Sequence, residues 1–173
     1  MEQKQLSMMK IAFTGPESSG KTTMALWSSE QFNLPCCPEF AREYLMGKPN
    51  YSRLDLDIIT KGQLDAWNER GAYFIADTEM TVMLIWSKYR YNGVSAVIQD
   101  AYQQQQFDHY FLCAPDIPWE PDPLRENPND RQNLFDLYET EFIQSNRPFT
   151  VLSGSMEARQ KVVFDVVQSY FNS

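Results

Sequence analysis

Gly15, Gly20, Lys21 and Thr22 occupy the fixed positions of G-x-x-x-x-G-K-[ST], inside the run Phe13-Thr14-Gly15-Pro16-Glu17-Ser18-Ser19-Gly20-Lys21-Thr22-Thr23. This spacing suits a polyphosphate. Consecutive backbone N–H groups can wrap such an anion only where the turn positions carry no side chain to block the approach. Gly15, Glu17, Ser18, Ser19, Gly20, Lys21, Thr22 and Thr23 are therefore the candidate nucleotide-binding residues. Lys21 supplies a cation for the β- and γ-phosphates, and the Thr22 hydroxyl can take a coordination position on Mg²⁺. A helix opening at the end of the loop adds its partial positive charge. The bland alternative is a Ser/Gly-rich turn ahead of an ordinary helix. Against it, Lys10-Ile11-Ala12-Phe13 reads as a short buried strand before the loop, and Thr22 to Phe32 contains neither Gly nor Pro.

The remaining elements must hold other groups beside that loop. Leu34-Pro35-Cys36-Cys37-Pro38 reads as a second strand, confined by its prolines to a sheet edge. Glu39 to Gly47 predicts a short helix, and Leu54 to Arg70 a longer one with Ile59, Gln63 and Trp67 spaced along one face. Ala72-Tyr73-Phe74-Ile75-Ala76 is the clearest buried strand and stops at Asp77-Thr78. A helix follows with Val82, Ile85, Trp86 and Tyr89 on one stripe, ending before Asn92-Gly93, and another runs from Val94 to Gln106 with a solvated glutamine end. Tyr110 to Ala114 is the fourth strand. Leu134, Leu137, Tyr138 and Phe142 mark the next helix, Phe149 to Leu152 the fifth strand, and Val162, Val163, Val166, Val167 and Tyr170 the last helix. Short apolar strands alternating with helices predict an α/β fold, a parallel sheet with helices on both faces. Ligands of such sheets bind beyond the carboxyl ends of the strands. The phosphate loop, Glu39 to Tyr44, Asp77-Thr78 and the segment after the fourth strand all fall there.

These positions offer the groups that phosphoryl transfer needs, namely positioning and charge neutralisation. Asp77, at the end of a buried strand, can hold a magnesium water or accept the proton of an acceptor hydroxyl. The competing reading makes Asp77 or Thr78 a helix N-cap. Glu39 can bond a sugar diol, hold metal through water or act as the base. Arg42 and Glu43 stand beside it as further substrate-side candidates, or else form a surface ion pair. Gln63 is either an inward polar contact or a partly exposed helix flank. Pro115 to Pro128 holds five prolines and four acidic residues, so it forms a stiffened loop. With Arg125 inside it and Arg131 just after, residues 115–131 read as a lid delivering arginines over the phosphates and excluding water, or as a structural loop with surface arginines. Tyr44, Trp67, Trp86 and Trp119 are aromatic enough to stack on a heterocycle, with Trp86 preferred for its place after Asp77.

The 173 residues predict one domain with a polar start over Met1–Met9, which is too polar for a signal peptide. A hydrophobic content of 43% excludes a disordered chain, and a formal net charge of −8 argues against a broad nucleic-acid surface. No apolar run reaches the roughly 18 residues of a membrane span. Three cysteines, two of them adjacent, suggest a reducing cytoplasm, and with His109 they lack ligand spacing for a metal.

The motifs together resemble one P-loop kinase family, the ribosylnicotinamide kinase domain of the NadR type. The likeness rests on Gly15 to Thr23, Glu39-Phe40-Ala41-Arg42-Glu43-Tyr44, Lys61-Gly62-Gln63, Asp77-Thr78 with Trp86-Ser87, and Pro118-Trp119-Glu120-Pro121-Asp122-Pro123-Leu124-Arg125. It implies a five-stranded sheet of order 2-3-1-4-5 and ATP-dependent, Mg²⁺-assisted phosphorylation of nicotinamide riboside at its ribose 5′-hydroxyl, giving nicotinamide mononucleotide. The residues read above as catalytic are Lys21, Asp77, Arg125 and Arg131. The resemblance places Glu39, Arg42 and Tyr44 on the substrate side with Pro115–Pro128 as the lid, and Glu43, Gln63, Thr78, Trp86 and Trp119 are the further candidates for contact with the acceptor. The chain shows neither a helix-turn-helix repressor segment nor an adenylyltransferase domain, so those activities are not expected of it. Two other functions compete: a kinase for another nucleoside or small sugar, and a regulatory nucleotide-binding ATPase.

Overall fold

Side chains alternate across the central strands and divide the interior in two. Ile11 and Phe13 pack with Ile75, Phe111 and Cys113 against one helical layer, while Ala12, Ala76, Tyr110 and Leu112 belong to a larger core on the opposite face. The period of two residues along a strand is what sends neighbours to opposite faces. The structure, a computed structural model, describes residues 9–122 and 125–170. In chain order the elements are β1 (Ile11–Thr14), α1 (Lys21–Phe32), β2 (Cys36–Cys37), α2 (Phe40–Leu45), α3 (Arg53–Arg70) and β3 (Ile75–Asp77). There follow α4 (Met80–Tyr91), α5 (Ala96–Gln104), β4 (His109–Cys113), α6 (Arg131–Ser145), β5 (Phe149–Leu152) and α7 (Met156–Ser169). The five strands are ordered β2-β3-β1-β4-β5 and every pairing is parallel. The proline-flanked β2 lies at the edge, where its missing N–H groups disturb no ladder.

Several boundaries differ from expectation. The third strand begins at Ile75 rather than Ala72, because Gly71 turns the chain at φ 86° and leaves Ala72 and Tyr73 exposed before pairing begins. The glutamine end of α5 is solvated at Gln103, Gln104 and Gln106 but not at Gln105, which is buried and bonds into the start of α4. Met9 is buried at the edge of the smaller core rather than frayed, and the rest of the polar start lies outside the described residues. Pro123 and Leu124 of the expected lid also lie outside them.

Gly62 explains part of the third motif by packing alone. A Cβ there would sit 2.2 Å from Phe40 Cε1, so the helix accepts glycine's lower propensity in order to admit the ring. His109 is enclosed between the Tyr170 and Thr150 hydroxyls, and burial lowers its pKa to about 4. Cys36, Cys37 and Cys113 are free thiols. Among the described residues no helix is long and apolar enough to cross a membrane.

Candidate active site

The parallel register sets Asp77 opposite Phe13, so the carboxylate ending β3 stands beside the strand that opens into the phosphate loop. That loop rests on the end of β4. Gly15 has φ 130°, and a Cβ there would lie 2.7 Å from the Cys113 carbonyl oxygen. Gly20, at φ 88°, turns the chain into α1. The Ser19 hydroxyl closes the loop by donating to the Pro16 carbonyl at 2.7 Å. Lys21 Nζ folds back over it, donating to the Gly15 and Pro16 carbonyls at 2.9 and 2.8 Å. A lysine bonded to its own loop stands where it can be exchanged onto a phosphate oxygen.

The Thr22 hydroxyl donates to Asp77 Oδ2 at 2.7 Å. Asp77 is only 5% exposed, and its Oδ1 is buried with no partner. Burial pushes this carboxyl above the usual range, opposed by the Thr22 hydrogen bond and the charges of Lys21 and Arg42. A hydroxyl, a carboxylate and an unsatisfied oxygen suit Mg²⁺, which takes one or two protein ligands and completes its octahedron with phosphate oxygens and water. Among the described residues no three His, Cys, Asp or Glu side chains gather into a self-sufficient metal cage. The donor set therefore fits an ion carried in with a nucleotide.

Neither Asp77 nor Thr78 caps the following helix. Glu79 does, accepting the Thr81 N–H and hydroxyl, each at 2.8 Å, and the Gln105 amide at 2.7 Å. Gln105 in turn accepts the Met80 N–H. Glu79 is fully buried. The capping alternative is thus displaced by one residue. Thr78 holds φ 85°, an uncommon conformation for a β-branched residue, and its hydroxyl is buried without a partner.

An open cavity runs from the phosphate loop between α2, α4 and α6. Its walls include Glu39 and Arg42 from the segment after β2, Trp86 and Tyr89 from α4, and Tyr138 from α6. Burial pushes the Glu39 carboxyl above its ordinary value, with Lys21 and Arg42 opposing and Asp77 and Glu17 adding to the rise. Arg42 pairs with Asp122 of the lid at 2.8 Å, not with Glu43, so the local ion-pair alternative fails. Trp86 donates its indole N–H to Tyr51 at 2.9 Å and keeps its ring partly open.

Five of the acceptor-side candidates lie outside the cavity walls. Gln63 is buried under α2, accepting the Phe40 N–H at 2.8 Å and donating to the Pro38 carbonyl at 3.2 Å. It positions the Glu39 segment and is not a partly exposed flank. Tyr44 bonds Asp55 at 2.7 Å and carries Lys48 over its ring. Glu43 is exposed on α2, Thr78 is buried behind Asp77, and Trp119 lies beside the Arg131 guanidinium at 5.6 Å. Of the other stacking candidates, Trp67 packs edge-on against Phe107 in the core.

The described residues of the expected lid lie against the phosphate loop. Glu17 accepts the backbone N–H groups of Glu126 and Asn127, each at 3.0 Å. Ser18 Oγ accepts the Glu120 N–H at 3.0 Å and contacts Arg125 Nη1 at 3.5 Å. Arg125 also donates to the Glu120 carbonyl and lines the cavity. Arg131 bonds the Ser18 carbonyl at 2.9 Å and the Ile117 carbonyl at 3.1 Å, so it fastens the lid and does not itself line the cavity. Tyr138, expected only as part of a helix stripe, also lines this cavity. Its hydroxyl lies in the field of Glu79, Glu39 and Glu17, and burial first, then those carboxylates, raise its pKa well above the usual value.

A phosphate loop, a strand-end carboxylate bonded to its threonine, and this strand order define a protein of the P-loop kinase fold. The chain belongs to the AAA domain family, whose profile matches residues 10–159. It is similar in structure to a NadR protein in complex with NR, at TM-score 0.79 and 18% identity over 98% of this chain. A NadR protein in complex with NAD and AMP-PNP gives 0.77 and 17% over 96%. The chain spans about half the length of these two proteins, 53% and 50%. Deoxyadenosine kinase from M. mycoides with bound dCTP is similar at TM-score 0.64 and 17% identity, covering 93% of this chain and 100% of that one. No curated protein matches the sequence.

Proposed function

We propose that the protein transfers the γ-phosphoryl group of ATP to the ribose 5′-hydroxyl of nicotinamide riboside, yielding nicotinamide mononucleotide. The observation that carries a kinase reading is the Thr22–Asp77 hydrogen bond of 2.7 Å beside Lys21, opening onto a cavity walled by Glu39 and Trp86. The choice of acceptor is supported by the motif resemblance and by the likeness to a NadR protein in complex with NR, at 18% identity.

On this reading the loop amides and Lys21 bind the β- and γ-phosphates, with Lys21 leaving the Gly15 and Pro16 carbonyls to do so. Thr22 and Asp77 would hold Mg²⁺, which would supply charge neutralisation for the phosphates. Glu39, raised in pKa and open to the cavity, accepts the proton of the attacking hydroxyl. Asp77 is occupied with Thr22, which favours Glu39 over Asp77 as the base. Arg125 donates to the transferring group, Arg42 lines the substrate side, and Trp86 offers its face to the pyridinium ring. The lid keeps water from the γ-phosphate.

A kinase for another nucleoside is the second reading, favoured by the likeness to deoxyadenosine kinase over 100% of that chain. A screen of ADP release over nucleosides, nicotinamide riboside included, separates these outcomes. Turnover largest with nicotinamide riboside supports the proposal. Preference for another nucleoside replaces the acceptor, and ADP release indifferent to any acceptor makes the protein an ATPase.

A further inference from the structure

Arg159, on α7, is the largest fully enclosed side chain among the described residues, at 1% exposure. Its guanidinium reaches three separate stretches of chain. Nε donates to the Gly154 carbonyl at 3.2 Å, Nη1 to the Ser19 carbonyl at 2.7 Å, and Nη2 to the Ala114 carbonyl at 3.0 Å and to the Asp116 carboxylate. Asp116 closes the ring by accepting the Gly154 N–H at 2.6 Å. The loop after β5, the end of β4, the root of the lid and the phosphate loop are thereby tied at one planar group. Only arginine has the fork of donors to make such a set at once; a lysine ammonium is a compact point charge with three donors.

The bond to Ser19 has a directional consequence. No peptide in the described chain is cis, so the Ser19 carbonyl and the Gly20 N–H point to opposite sides of one planar unit. With the carbonyl drawn back onto Arg159, the Gly20 amide faces away from it, and Gly20 lines the cavity. The same Nη1 also lies close to Gly20 itself, where a Cβ would sit 3.3 Å from it. A phosphate cradle works by having its donors aimed before the anion arrives.

We propose that Arg159 is a positioning residue for the nucleotide: it locks the Ser19–Gly20 peptide with its amide toward the phosphates and couples that lock to the lid root through Asp116. The inference rests on the phosphate loop binding ATP, as proposed above. It is tested by calorimetric titration of Mg-ATP into the full chain as wild type, Arg159→Lys and Asp116→Asn, with KM for ATP and for the acceptor measured alongside. Arg159→Lys should weaken ATP at least about tenfold and raise its KM in step, leaving the acceptor KM within about twofold. Asp116→Asn, which retains the guanidinium, should weaken ATP by a smaller factor of about three. A purely structural arginine would lower the melting temperature without separating the two KM values. ATP affinity within about twofold of wild type in Arg159→Lys overturns the inference. Should that variant lack a melting transition, unchanged ATP affinity in Asp116→Asn overturns it instead. Wild-type protein that fails to bind ATP at all removes the underlying reading of the loop, a result distinct from either.

Discussion

Thr22 and Asp77 stand 55 residues apart in sequence and share a hydrogen bond of 2.7 Å, so the first turn of α1 and the end of β3 present their oxygens as one unit. The pairing of β1 with β3 produces this closeness, because Phe13 and Asp77 are register partners and the loop returns to the same strand end. Asp77→Asn should therefore reduce kcat by at least about a hundredfold. The fold should keep or gain stability, since burial disfavours the charge that the substitution removes. Melting temperature and kcat on one preparation check both halves; normal kcat would take Asp77 out of the mechanism.

The opposite pattern is expected two residues onward. Glu79 caps α4 and satisfies Thr81 and Gln105 from a fully buried position. Glu79→Ala removes the cap and leaves buried donors unpaired, a loss of about 2–4 kcal/mol. That corresponds to a fall in melting temperature of roughly 5–15 °C for a chain of this size. Residual activity below the new transition should remain near wild type. A thermal melt paired with an assay at low temperature distinguishes this from a catalytic defect.

Glu39 gives a signed pH dependence. Its folded-state carboxyl holds a proton to higher pH than in the unfolded chain, because burial outweighs the attraction of Lys21 and Arg42. Between the two pKa values the folded state binds more protons, so this group's contribution to stability falls as pH rises through that window. Glu39→Gln should raise the melting temperature at neutral pH and flatten its slope across the window. The same substitution should lower kcat about a hundredfold or more and remove the acid limb of the rate profile. Persistence of that limb in Glu39→Gln would assign it to another group.

Arg125 is held by Ser18 and the Glu120 carbonyl at the cavity edge, whereas Arg131 is fully engaged with backbone carbonyls. Arg125→Ala should depress kcat by about ten- to a thousandfold with a smaller change in nucleotide KM. Arg131→Ala should instead loosen the lid and raise ADP release without acceptor, as water gains access. An effect of Arg125→Ala confined to KM would make it a ground-state phosphate ligand.

The phosphate loop, the alternation of strands with helices and the strand-end positions of Glu39 and Asp77 were all legible in the amino-acid order. Each is encoded locally. A glycine at a left-handed turn, a proline at a sheet edge or an apolar run of four residues constrains the backbone wherever it occurs. Partnerships between distant side chains were not legible. Glu79 as the cap is not legible in sequence because its advantage comes from Gln105, 26 residues away, and from complete burial rather than from its own short-range propensity. Gln63 and Tyr44 looked like substrate contacts, yet the packing of α2 on α3 turns both toward structural partners. Arg159 sits in a helix that reads as an ordinary amphipathic stripe, and its bond to Ser19 spans 140 residues. Local backbone chemistry follows from contiguous sequence, whereas which buried donor meets which acceptor is decided only once the sheet order has brought separate segments together, since an enclosed polar group must take whatever partner the packing leaves within reach.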